Sequence, residues 1–415
     1  MKTTPRFLLI ACLLFALILL TSCGDDDSTS ENDPHNANDY VEIGKRLLKE
    51  NEGFEAADAF IAALALQPDN QVAKYGMVLS GSMELFNFID QVLGTFNSMT
   101  FESDPTQVDE NFSSITEAAD DQPIHEYLLE KIVWRLEASD AAYRELAEYD
   151  DVQITLDSYV WSIDEAPLLT FGGEFDQADL HFFGAANALA LALFDFLLAH
   201  DLRFDYTLLA FPETEDDVHI LETINTIVQL IDNLFDSQNF PHFLYLQLEY
   251  GEDFMKAAGV DLGDVFARLD LAFAYMAEET DDQEDDQVAY IDSNGNGHFD
   301  VGVEEVFLGA ELSLDAALAE AIANLCPEMA DIFYEGSPLD YNPNEERLLS
   351  LADFNELLTA LGVLPLDLGL ITLPALPDWF GLDVGGFFSR PAPDGIREFI
   401  HVLVTLWLNP SDLFN

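Results

Sequence analysis

Residues 178–202, ADLHFFGAANALALALFDFLLAHDL, form a run that is apolar on nearly every face a helix could present. A helix with no water-facing side belongs either in lipid or at the centre of a bundle. The run is long enough to cross a bilayer core, which takes about 20 residues. Asn187 and Asp195 interrupt it, however, and polar or acidic side chains are costly in hydrocarbon. It therefore reads as the central helix of a bundle, and the rest of the chain must supply helices to surround it.

Periodicity supplies them. Leu128, Leu129, Ile132, Val133 and Leu136 make one apolar stripe. Val218, Leu221, Ile224, Ile227, Val228, Ile231 and Leu234 make another, preceded by Thr214 and Asp217 at capping-box spacing. Further helices are expected at 262–277, at 313–325 with Ser313 as N-cap, at 350–361, and at 395–408 with Asp394 as N-cap. Strand signals are few and short, so the expected class is all-α. The chain exceeds the roughly 250–300 residues at which single cores stop growing, so more than one unit is expected.

Charge limits the partners. The chain carries 79 acidic and 15 basic residues with a near-half apolar share, enough to build cores. Phosphate binding needs Lys and Arg clusters, which are missing, so nucleic acid is excluded. Lys depletion with Asp excess suits high salt, where self-repulsion is screened over a few Å.

At the N-terminus, Lys2 and Arg6 precede an apolar run from Phe7 to Leu20 that is too short to remain as a span and reads as an export signal. The residues Leu20-Thr21-Ser22-Cys23 then resemble the lipobox of bacterial lipoproteins. That resemblance implies a diacylglyceryl group on the Cys23 sulfur and cleavage before it, giving a signal of 1–22 and a lipid anchor in the membrane. Removing Lys2 and Arg6 leaves 13 bases against 79 acids, or −66. Cys12 leaves with the signal and Cys23 is modified, so Cys326, followed by Pro327, has no disulfide partner and reads as a small buried hydrophobe. Residues 23–38 read as an acidic flexible tether. Its start resembles the tags that carry some lipoproteins to the outer face of the outer membrane.

From Tyr40 the period becomes helical. Tyr40, Ile43, Gly44, Leu47, Ala56, Phe60, Ala63 and Pro68 resemble the tetratricopeptide repeat in spacing. Gly44, Ala56 and Ala63 would let two antiparallel helices approach, Phe60 would fill the groove between them, and Pro68 would stop the second. A further helix, QVAKYGMVLSG, begins where the next repeat would, and Leu85, Ile89, Val92 and Phe96 line one face of another. The expected organisation is tetratricopeptide-like helical hairpins over 39–100, followed by a larger irregular helical body over 101–415.

The sharpest local motif is DSNGNGHFD, residues 292–300. Asp292, Asn294 and Asn296 occupy the first, third and fifth positions of a calcium loop, Gly297 the sharp turn, His298 the backbone-carbonyl position and Asp300 the ninth. Calcium takes six to eight hard oxygens at loose geometry, and alternating Asp and Asn on a Gly-bent loop supply them. The stretch resembles the loops of EF-hands, dockerins and thrombospondin-type repeats, which implies a structural calcium ion within 292–304. At the twelfth position Val303 replaces the usual Glu, with Glu304 one residue late and able to enter by a register shift. Short strands at Val288–Ile291 and Val306–Leu308 would make a hairpin around the loop. The acidic run Glu278–Asp286 just upstream reads as a solvated loop.

No catalytic residue stands out. The chain has no H-E-x-x-H, G-x-S-x-G or G-x-x-x-x-G-K motif. Acid pairs such as Glu174 and Asp176 are uninformative in so acidic a chain. His125, His181, His200, His219, His242 and His401 are scattered, and His181 and His200 read as hydrogen-bonded bundle residues rather than zinc ligands. Residues 363–388 are too apolar for a loop and too broken for a helix. They read as a packed wrapping segment, or as a groove for an apolar ligand or peptide anchored by Trp379, Phe387 and Phe388.

These features imply a cell-envelope lipoprotein that binds a protein or peptide without catalysis. The alternatives are a hydrolase with a site assembled from distant residues and a carrier of an apolar ligand. For the anchor, a Cys23→Ser precursor is expected to lose incorporation of labelled fatty acid and to leave the membrane fraction. Membrane retention of that variant in a fractionation experiment would contradict the anchor.

Overall fold

The computed structural model describes residues 36–85, 128–149, 152–163, 166–203, 241–248, 250–279, 286–308 and 312–335, with a few positions at 125 and between 366 and 397. The described residues are mostly helical. The helices expected over 218–234 and 350–361, almost all of 395–408, and residue Trp379 lie outside them, as do Cys23 and residues 23–35 of the tether, whereas Asn36, Ala37 and Asn38, expected in the tether, open the first helix.

Helix α1, Ala37–Lys49, starts where the Asn36 side chain accepts from the Asp39 N–H at 3.1 Å. Asn51, at φ 60°, turns the chain into α2, Gly53–Leu66, and Pro68 lies in the turn that follows. A third helix, α3, covers residues 71–85, with Asn70 accepting from the Ala73 N–H at 3.0 Å. Phe60 is fully buried among the three. A Cβ added to Gly44 would stand 2.6 Å from its ring, and one on Gly76 would overlap the ring too, so both positions require glycine for the helices to approach.

Helix α3 is enclosed on every side from Ala73 onward. Its hydroxyls are accommodated by bonding to backbone carbonyls: Ser80 donates to Gly76 O at 2.8 Å and Ser82 to Phe183 O at 2.7 Å. A single apolar cluster joins α1–α3 to Tyr143, Leu146, Ile154, Phe175 and Phe183 further along the chain.

A π-helical stretch, Leu128–Val133, runs into α4, Trp134–Leu146. Leu128, Ile132, Val133 and Leu136 are buried as their stripe implies, but Leu129 is 42% exposed. The wider π turn rotates it out of line.

Next comes an element that the strand signals do not reveal. β1, Ile154–Ile163, pairs antiparallel with β2, Ala166–Phe175, from Ile154 opposite Phe175 to Ile163 opposite Ala166. The register shifts between Leu156 and Tyr159 and again between Trp161 and Ser162. Each irregularity interrupts the two-residue alternation by which a strand is recognised. The expectation of a single short hairpin is corrected accordingly.

The apolar run is α5, Gln177–Ala199. It is long and apolar enough to cross a membrane, yet it is mostly enclosed by protein. Its start is a capping box in which Asp176 accepts from the Asp179 N–H at 3.0 Å and Asp179 accepts from the Asp176 N–H at 3.2 Å. Asp176, uninformative in sequence, is thus an N-cap. Helix α6, Gly251–Glu278, packs along α5, with Val265 against Ala185 and Ala188.

β3, Val288–Tyr290, and β4, Val306–Leu308, form the hairpin expected around the acidic loop, and β5, Leu312–Leu314, adds a third strand. Helix α7, Ala316–Glu335, packs on α6. Ser313 lies in β5 and Asp315 caps instead, accepting from the Leu318 N–H at 2.9 Å. Proline usually ends a helix by removing a donor and crowding the preceding turn. Here α7 continues through Pro327, because Met329, Ile332 and Phe333 beyond it are buried beside Leu262 and Phe266 of α6.

Within 363–388, β6, Leu366–Asp367, pairs with β7, Thr372–Leu373, and α8 covers Val384–Ser389. Phe387 and Phe388 pack on Phe196 of α5, and Phe388 also packs on Phe333 of α7 at 5.7 Å. This end of the segment wraps the helices.

Phe60→Ala is expected to lower stability by about 3–5 kcal/mol, since it leaves a cavity where α1, α2 and α3 meet. A loss under 1 kcal/mol in urea unfolding would show that the Phe60 site collapses freely.

Candidate functional site

The 292–304 loop grows from the β3–β4 hairpin, whose last pair is Tyr290 opposite Val306, extended by the Ile291 N–H donating to Glu305 O at 3.2 Å. Gly295 and Gly297, at φ 75° and 81°, provide left-handed turns that L side chains rarely adopt. The bent chain then wraps Asp292. Its Oδ1 accepts from the N–H of Gly295 at 2.6 Å and of Asn296 at 3.1 Å, and Oδ2 accepts from Gly297 N–H at 2.8 Å. These donors, Gly297 foremost, hold the Asp292 carboxyl below its usual range.

The other side chains turn toward the same ring. Asp300 Oδ2 accepts from Asn294 Nδ2 at 2.6 Å and from Asn296 Nδ2 at 2.5 Å. Glu304 is buried, and it accepts from the N–H of Ser293 at 3.0 Å and of Asp300 at 3.2 Å. Val303, at the twelfth position, is 53% exposed, so Glu304 is the acid that faces inward. His298 contributes its backbone N–H, which donates to Asn296 Oδ1 at 2.9 Å.

Among the described residues, no three His, Cys, Asp or Glu side chains form a ready-made metal cage. The loop instead carries Asp292, Asp300 and Glu304 in one hydrogen-bonded turn with the amides of Asn294 and Asn296. Its side-chain acceptors are all hard oxygens, a set that suits calcium better than a transition metal.

Two fastenings tie the loop to the body. Phe299 is buried between Phe273 of α6 and Tyr290 of β3, at 6.2 and 5.5 Å. Just before β3, Gln287 accepts from the Gly172 N–H at 3.0 Å, and Asp179 of α5 accepts from the Val288 N–H at 2.7 Å. Asp179 is fully buried, and burial, with the charge of Asp176 second, holds its carboxyl well above the usual range.

A second polar centre lies where α4, α5, α6 and α7 meet. Arg268 of α6 is buried and donates to Gly184 O of α5 at 2.8 Å, to Asp264 at 2.7 Å and to Asp140 of α4. Arg144 closes the ring, donating to Asp140 at 2.7 Å and to Asp264 at 2.5 Å, while Tyr334 of α7 donates to Asp264 at 2.5 Å. The guanidinium of Arg268 sits 4.0 Å from the centre of the Tyr143 ring. Tyr143 Oη hydrogen-bonds His181 Nδ1 at 2.8 Å, and burial lowers the His181 pKa to about 4, so the ring is neutral at pH 7. His200 is held the same way, donating to Phe196 O at 2.7 Å and accepting from the Ile396 N–H at 3.2 Å. Both histidines are thus hydrogen-bonded within the helices.

This network was not legible as a site. Its only sequence trace is the i, i+4 spacing of Asp140 with Arg144 and of Asp264 with Arg268. Cys326 is buried, and burial with the nearby Asp270 raises its thiol to about 12, an unreactive state. No family model, curated protein or solved structure matches this chain.

Removing one partner of a buried pair leaves uncompensated charge and typically costs about 3–5 kcal/mol. Arg268→Leu is expected to destabilise by that amount in urea unfolding, because Asp140 and Asp264 both lose a donor. A neutral result would mean that water reaches the four-helix junction.

Proposed function

We propose that this chain is a non-catalytic protein- or peptide-binding module of the bacterial cell envelope, anchored through an acylated Cys23 and stabilised by calcium in the 292–304 loop. The observation that carries the reading is the loop itself. Two acid side chains, Asp292 and Glu304, each accept from backbone N–H groups of this one loop, with Asp300, Asn294 and Asn296 hydrogen-bonded alongside. A divalent cation would neutralise acids gathered on one loop in a chain with net charge −64. Asp292, Asn294, Asn296, Asp300 and Glu304 would hold it through side chains and His298 through its backbone carbonyl.

The loop is fastened to the core by Phe299, and the strand that leads into it is fastened to α5 by Asp179. Calcium would therefore stabilise the body and not merely an exposed turn. The binding role rests on the N-terminal hairpin, where Phe60 between Gly44 and Gly76 supports tetratricopeptide-like packing, and repeats of that kind present concave helical faces to peptides.

A ligand that binds only the folded state stabilises by about 2.7 kcal/mol at one hundred times its dissociation constant. Millimolar calcium is therefore expected to raise the melting temperature by several degrees, and Asp292→Ala to remove that gain. Equal responses of the two proteins in a calorimetric scan would leave the loop as a turn only.

A further inference from the structure

Helix α5 is capped at its carboxyl end by His200, whose side chain is buried with both ring nitrogens engaged. Nδ1 lies 2.7 Å from Phe196 O, which can only accept, so Nδ1 carries the ring hydrogen. Nε2 lies 3.2 Å from the Ile396 backbone nitrogen, which can only donate, so Nε2 is bare. The partners fix a single neutral tautomer. Two distant pieces of chain meet the helix end here. Leu246 forms an antiparallel bridge with His200, the Gln247 N–H donates to Ala199 O at 2.8 Å, and the Asp201 N–H donates to Tyr245 O at 2.8 Å. Pro393 O accepts from the Leu246 N–H at 3.0 Å, and Ile396 is buried. Pro393 and Ile396 are thus docked on α5 through Leu246 and through the His200 ring.

We propose that His200 is an acid-released clasp: its bare Nε2 docks Ile396 on the end of α5, and a proton on that nitrogen sets two donors against each other and frees the contact. The clasp lies apart from the calcium-type loop and does not rest on the function proposed above. Among the described residues, the charged and titratable groups around it are accounted for. Arg203 pairs with Asp201 at 2.6 Å, Arg397 donates to Pro241 O at 3.0 Å and stands over the Tyr245 ring at 5.1 Å, and His242 packs on that ring at 5.5 Å. His125 Nε2 lies 3.0 Å from His200 O and 2.7 Å from Gln247 Nε2. Burial is the first reason that the His200 ring is held down to about 4; the bond to Phe196 O favours the cation, and His125 opposes it. His125 is also held below its usual value, by burial first. The sign follows. A histidine that resists its proton when docked, and takes it at about 6.5 when free, contributes its full stability above that value and loses it as pH falls from about 6.5 toward 4. Neutral solution therefore closes the clasp, and acid opens it.

The test is hydrogen exchange of the intact chain at pH 7 and pH 5, each amide referred to its own rate in an unfolded peptide at the same pH. The Leu246 and Ile396 amides, which make the docking bonds, are expected to lose protection by roughly 20-fold between the two. The Ala188 amide in the middle of α5 is expected to change far less. His200→Gln, whose amide oxygen can accept from Ile396 without titrating, is expected to remove the loss, and His125→Gln to keep it. A flat wild-type profile, an equal loss at Ala188, a loss that survives in His200→Gln or a loss that vanishes in His125→Gln would overturn the clasp. If His200→Gln does not fold, the wild-type ring decides. Nitrogen-15 spectra are expected to show His200 with a single proton, on Nδ1, for as long as Ile396 stays protected. A doubly protonated ring at pH 6 beside a protected Ile396 amide would also overturn it.

Discussion

The Arg268 guanidinium is the contact on which the arrangement of the helices depends. It is buried where four helices converge, and its donors reach an acid on α4, an acid on α6 and a backbone carbonyl on α5. Tyr334 brings α7 to the same acid, and Tyr143 lies under the guanidinium plane. Planar, five-donor geometry makes this possible, and lysine could not reproduce it. With so few bases in the chain, a buried Arg268 and a half-exposed Arg144 that share the same two acids indicate where neutralisation matters most.

The enclosed acids are handled by two physical devices, arginine pairing and backbone N–H donors. Asp140 and Asp264 are paired with arginine. Asp179 is satisfied by the backbone N–H groups of Asp176 and Val288. Glu304 is cradled by the N–H groups of Ser293 and Asp300. Most other acids among the described residues are at least partly exposed to solvent, where salt screens them, so a chain of this charge can still close around a core built from Phe, Leu and Ala.

Much of the helical fold was legible because it rests on local periodicity. The close contact of Gly44 with Phe60 follows from spacing along two neighbouring helices, as does the central position of α5 from its lack of a polar face. The strands flanking the acidic loop lie where Val288–Ile291 and Val306–Leu308 pointed. What stayed hidden was non-local or irregular: the β1–β2 hairpin, whose shifted register blurs alternation; α7 running through Pro327, where packing outweighs a local breaker; and the Arg268 junction, whose partners lie 84 and 128 residues away in sequence.

By itself, the sequence determined that the described residues are mostly helical, that 178–202 must be enclosed, and that a Gly-bent, oxygen-rich loop sits between two short strands, because propensity, periodicity and turn chemistry act over a few residues. Only the tertiary structure decided that Glu304 rather than Val303 faces the loop, that Asp176 and Asp179 cap α5 with Asp179 also holding β3, and that Arg268 meets Asp140 and Gly184. Those choices depend on which distant groups share a dry interior, where an unpaired charge costs more than any local preference can repay.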